Sequence, residues 1–158
     1  MQKRGLLIVV VMFGLLTTGV SCATKTMPEG ELVSVRYTRS GTMAGYIYEG
    51  EMTKEQNGDV VLRAMKESYG PLFEKCLTTA EVQHFRQIIE EEKMYTYKER
   101  YLPRVQVLDG ESWSFCAKFS DGTIIDSHGS NASPKGNGLG RIRSYMEQLV
   151  QDGQKVEN

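Results

Sequence analysis

At 158 residues, with 40% apolar and 25% charged side chains, the chain has the composition of an ordinary globular domain. Its formal charge of −1 arises from 19 basic and 20 acidic residues, which excludes the large basic face that a nucleic-acid partner needs. Two histidines and three cysteines, with neither H-x-x-E-H nor C-x-x-C spacing, give no zinc framework, and no metal or cofactor is expected.

The chain opens with Lys3 and Arg4, then "GLLIVVVMFGLL", then small or polar residues. Basic start, apolar middle and small-residue exit are the layout of a secretory signal, here residues 1–21. A bilayer span needs about 20 apolar residues, so the run is short for one. A retained anchor would keep the basic pair inside, so the domain is exported on either reading. "GVSC" resembles a bacterial lipobox, with Gly19 where that motif has Leu, and makes Cys22 the lipidated first residue. "SCA" offers a competing cut after Ala23. Acyl chains on Cys22 would attach the protein to the lipid bilayer. Ala23 and Thr24 lack the acidic cluster that resembles a surface-export signal, so the expected location is the outer membrane, facing the periplasm. Removing residues 1–21 takes away two basic and no acidic side chains, which leaves a charge of −3.

Residues 22–30 read as a tether, being small and polar with Pro28 and Gly30. Residues 31–151 read as one α+β domain. "LVSVRYT" alternates, with Val33, Val35 and Tyr37 on one face. "GYIYEGEM" alternates again, setting Tyr46, Tyr48 and Met52 against Ile47, Glu49 and Glu51. "KEQNGD" holds an Asn-Gly turn signal, and "VVLRAM" follows as a third strand. Thr78 and Glu81 form a capping box that opens a helix over about 79–92, with Val82, Phe85, Ile88 and Ile89 at helical spacing.

Two Asp-Gly pairs then separate three extended runs, "RVQVL", "ESWSFCAKFS" and "TIIDSH". Asp109-Gly110 and Asp121-Gly122 predict two-residue type I′ turns and a three-stranded meander. Trp113, Phe115, Ala117 and Phe119 face one way, with Ser114, Cys116 and Lys118 on the other. A long loop, "GSNASPKGNG", leads to a last helix over about 138–151, with Leu139, Ile142, Met146 and Leu149 as its stripe. Residues 152–158 read as a frayed tail. The order strands, helix, strands, helix gives an α+β fold: an antiparallel sheet of five to six strands with two helices packed on one face.

The segment "LDGESWSFCAKFSDGTIIDSHGSNASPKGNGLGRI" resembles a group of small bacterial lipoproteins of the Bacteroides type. The shared pattern is DG, Trp, strand, DG, strand, Gly-x-Asn, Pro and a terminal helix. It falls here on Asp109, Gly110, Trp113, Asp121, Gly122, Gly129, Asn131 and Pro134. The resemblance implies the fold and carries no catalytic residue.

No catalytic residue is assigned from the sequence. "DSH" at 126–128 holds triad letters, but neighbouring strand residues point to opposite faces, and a triad converges in space. The candidate ligand loop comprises Ser127, His128, Ser130, Asn131 and Ser133, where a Gly-rich backbone carries hydroxyls and a titratable imidazole. Tyr46, Tyr48, Tyr95, Tyr97 and Tyr101 are candidates for an aromatic face toward sugar or peptide, against a simpler role in packing. Cys76 precedes the first helix while Cys116 faces away from Trp113, so a disulfide between them is not expected. The resulting expectation is a lipid-anchored, non-catalytic binding or structural module toward an envelope protein or glycan. The alternative is an envelope hydrolase or thiol enzyme with a site near His128 and Cys116.

Overall fold

The computed structural model describes residues 25–41, 45–105 and 110–156. The signal segment, Cys22 and Asp109 lie outside the described residues. The strands are β1 (Leu32–Gly41), β2 (Gly45–Lys54), β3 (Val60–Met65), β4 (Leu72–Leu77), β5 (Arg100–Tyr101), β6 (Glu111–Phe119), β7 (Ile124–Ser130) and β8 (Gln154–Val156). The helices are α1 (Thr79–Glu91) and α2 (Gly138–Leu149). All eight strands join one sheet in the order β5-β7-β6-β1-β2-β3-β4-β8. Every neighbouring pair is antiparallel except β5 with β7, which is parallel.

This corrects the expected architecture. The molecule is mostly sheet, one mixed eight-stranded sheet with two helices among the described residues, rather than five to six antiparallel strands with two helices on one face. The excess strands are β4, β5 and β8. Two- and three-residue strands are too short to show a period. In β4 the charged pair Glu74 and Lys75 interrupts the apolar pattern; each meets an ion partner, Arg63 and Glu81 respectively.

Alternation fixes the inner face of the sheet. Val35 lies between Met52 and Ala117, and Tyr37 between Gly50 and Phe115. These rows join Leu62, Trp113, Phe119 and Ile125 with Phe85, Ile88 and Ile89 of α1 and Ile142, Met146 and Leu149 of α2 in one buried cluster. Each such side chain stabilises the fold by about 1.5–3 kcal/mol. The capping box forms in full: Glu81 N–H donates to Thr78 Oγ1, and Thr78 N–H donates to the Glu81 carboxylate. At the other end of α1, three successive glutamates oppose the helix dipole. Arg141 of α2 answers two of them, pairing with Glu91 at 2.8 Å and Glu92 at 3.1 Å.

The β6–β7 hairpin differs in detail from the expected turn. Gly122 N–H donates to Phe119 O and Phe119 N–H to Thr123 O, which makes a three-residue loop with Gly122 at φ +85°. The β2–β3 hairpin repeats the arrangement with Gly58 at φ +94°. In both, the Asx residue before glycine accepts the N–H two residues on, Asn57 from Asp59 and Asp121 from Thr123. The expected first strand of the meander is not beside β6: Arg104 and Val105 are exposed and outside any strand, residues 106–109 lie outside the described residues, and β1 takes the place. The tail expected to fray carries β8, which pairs with Leu72–Glu74 of β4. Residues 25–30, read as part of a tether, lie along the domain with Pro28 buried.

Candidate binding cleft

The inner face of β1 ends on a charge. Val35 and Tyr37 point into the core, and two residues on, at the same face, stands Arg39. Its register partner on β6 is Trp113. The start of α2 closes over this end of the sheet and leaves a cleft of about 290 Å³. Tyr37, Tyr97 and Trp113 form its aromatic wall, Arg39 and Arg143 its cationic groups, Glu111 an acidic one, and Ser133 contributes a hydroxyl; the Ser112 hydroxyl instead meets Ser40 on the outer face.

Local bonds hold these groups in place. Trp113 Nε1 donates to Ala132 O at 2.8 Å and fixes the loop that enters α2. Asn131, at φ +50°, clasps the first residue of β6: its N–H donates to Glu111 O, and Glu111 N–H donates to Asn131 Oδ1. Arg39 is held by two donors to the Glu111 carboxylate, which keeps its guanidinium firmly charged. Arg143 donates to Glu147 at 2.8 Å and lies 5.5 Å from the Tyr48 ring centroid. Burial pushes the Tyr37 hydroxyl up and that of Tyr97 to about 12, so both are neutral donors across the physiological range. Among the described residues the buried Tyr48 hydroxyl has no hydrogen-bond partner, and burial raises it too.

The residues of the expected ligand loop are dispersed. Ser127 is buried in β7, where its hydroxyl donates to Lys98 O at 2.6 Å. His128 is exposed on the opposite face of the sheet, with its N–H bonded to Glu99 O. Ser130 ends β7 beside Ser112. Asn131 is the clasp described above, and Ser133 alone reaches the cleft. The sequence pattern ends the strand "TIIDSH" at His128 and opens the loop at Gly129, whereas β7 runs on to Ser130, with Ser127 and Gly129 as inward residues. A Cβ on Gly129 would come within 2.6 Å of Trp113 Nε1, so only glycine admits the indole.

His128 and Cys116 do share a face, but as diagonal neighbours, Ser114 facing His128 and Cys116 facing Asp126. Such diagonals stand about 7–8 Å apart at Cα. Burial, then Asp126, pushes the Cys116 thiol up, away from the thiolate that nucleophilic cysteines require. Cys76 and Cys116 are both free thiols, as expected. Four ladder steps and two residues along the strand separate them, about 20 Å. His84 packs against Tyr145 on the helices, 4.4 Å between ring centroids. Among the described residues no group of three or more metal-ligating side chains occurs. Of the five candidate tyrosines, Tyr97 lines the cleft, and Tyr101 packs edge-on to it with its ring tilted 45° to Trp113, 5.8 Å between centroids.

The sequence reading missed Arg39 and Arg143. A signal was available for the first, since a charge ending the inward face of a strand is an exception to the alternation around it. Arg143 stands four residues after Leu139, one helical turn along the same flank of α2.

No protein-family model matches the chain. Nor does any curated protein or solved structure.

Proposed function

We propose that this chain is an exported, lipid-anchored module that binds a small organic anion, of the acidic-sugar type, without transforming it. The observation that carries the reading is the cleft, where two arginines, each steadied by a glutamate, meet an aromatic wall and the Ser133 hydroxyl at one end of the sheet. Guanidinium groups recognise carboxylates in bidentate fashion, aromatic faces suit a sugar ring, and a hydroxyl helps orient it. The signal-like N-terminus, the lipobox-like "GVSC" and the resemblance to small envelope lipoproteins support the export and anchoring part of the reading. Both histidines lie outside the cleft lining, and the tyrosines there are held protonated, which favours binding over acid–base chemistry. The thiol-enzyme alternative draws no support from Cys116, whose thiol is pushed up.

Calorimetric titration of the purified mature protein with glucuronate and with glucose tests the reading, because the two differ at the carboxylate. A hydrogen bond to a charged group contributes about 1.5–3 kcal/mol, so glucuronate should bind at least tenfold more tightly. Arg143→Gln should remove most of that preference. Equal affinity for both sugars, or no binding of either, would overturn it.

A further inference from the structure

The segment that leads into β1 carries an inference that rests on the lipidation of Cys22 proposed above. Only Ala23 and Thr24 stand between Cys22 and Lys25. Three peptide steps reach about 10 Å at most. From Lys25 onward the chain is fastened to the domain. Lys25 Nζ donates to Tyr97 O at 2.8 Å. The Arg86 guanidinium donates to the carbonyls of Pro28 and Gly30 and lies 5.7 Å from the Phe119 ring centroid. Gly30 N–H donates to Asp121 Oδ2 at 2.9 Å. Glu31 N–H donates to Ser120 Oγ, and Ser120 N–H donates back to Glu31 O. Met27 packs against the core.

This strap runs along one side of the sheet. It borders a groove of about 750 Å³ whose other wall includes Ile124, Ile125 and Asp126 of β7. Among the described residues β5 pairs with β7 only at His128 and Gly129, and no strand covers this stretch of the edge.

We infer that the lipid anchor holds the domain edge-on against the bilayer, with the β5/β7 edge toward the headgroups and the β4/β8 edge away from them. A tether as long as residues 22–30 would let the domain tumble; the strap leaves the anchor about 10 Å of reach from a fixed exit point. The facing edge has mixed charge, with Lys25 and Arg100 against Glu99 and Asp126, and it exposes 58% of Ile124. That chemistry suits a zwitterionic headgroup surface rather than a strongly anionic one.

The sheet supplies its own ruler. Ile124, Lys118, Ser34, Thr53, Val61 and Cys76 are successive register partners from β7 to β4. Five steps place Cys76 about 24 Å from Ile124. Two single-thiol proteins on a Cys116→Ser background report the two positions, one retaining Cys76 and one carrying Cys76→Ser with Ile124→Cys. Each is labelled with a fluorophore, as full acylated chain in phosphatidylcholine vesicles that contain a headgroup quencher. Quenching should be several-fold stronger at position 124 than at 76. Arg86→Met with Asp121→Asn, which unfastens the strap, should draw the two values together. Equal quenching with the strap intact would overturn the orientation. Mass spectrometry of the same preparation tells the failures apart: without acyl mass on Cys22 the anchoring reading falls and the orientation with it, whereas acyl mass with equal quenching defeats the orientation alone.

Discussion

A Cβ built on Gly122 meets no atom of the described residues within 4 Å, so the cost of a side chain there is backbone strain at φ +85°. Gly122→Val should therefore destabilise the fold by about 1–3 kcal/mol. Ser114→Thr, on the outer face, keeps a hydroxyl within reach of Thr38 Oγ1 and should change little. Thermal melts of the two variants check this, and an unchanged melting temperature for Gly122→Val would contradict it. The turn was legible because Asp-Gly declares positive φ. Its three-residue length was not, because an Asx-Gly pair suits a two-residue turn and a three-residue loop alike, as the matching Asn57-Gly58 loop between β2 and β3 shows. The role of Arg39 was harder to read than its odd placement on the strand, because its neighbours Glu111 and Trp113 are brought in by a non-local pairing, β1 with β6.

Elements with local causes were the ones the sequence made plain. α1 begins where Thr78 and Glu81 say it should and ends at Glu91, close to the expected boundary. β4 was not legible, since its charged residues are satisfied by Arg63 on β3 and Glu81 on α1. β7 hid its inner face behind Ser127 and Gly129, which make room for Lys98 O and the Trp113 indole. The α1 cap also makes stability depend on pH. Burial acts to raise the Glu81 carboxyl, but the bonds from Lys75 and Thr78 outweigh it and hold it below its usual value. A group with a lowered folded pKa contributes fully above its unfolded value, about 4.3, and loses that contribution as pH falls through the folded value. The melting temperature should decline over that acid range, and Glu81→Gln should flatten the decline while lowering stability at neutral pH. Parallel acid limbs for wild type and Glu81→Gln would contradict this.

At the scale of the whole molecule, one sheet separates two surfaces. The inner face buries the apolar rows and ends in the arginine cleft; the outer face carries Arg36 paired with Glu49, Arg63 with Glu55 and Glu74, and the rung from Thr38 to Ser114. The candidate site of the sequence reading, centred on His128, belongs to the outer surface, and the cleft belongs to the inner one. Period-two alternation explains the exchange: residues 127 and 128 are adjacent in sequence and point to opposite sides. The chain's single tryptophan stands in the cleft wall, which makes its fluorescence a local probe of the proposed site. Titration of the mature protein with glucuronate, read by Trp113 emission, probes the cleft directly. A saturable change is expected, one that Arg39→Gln with Arg143→Gln abolishes and His128→Ala leaves intact. Saturable binding of glucuronate that leaves Trp113 emission unchanged, or a change that the paired arginine substitutions do not affect, would contradict it.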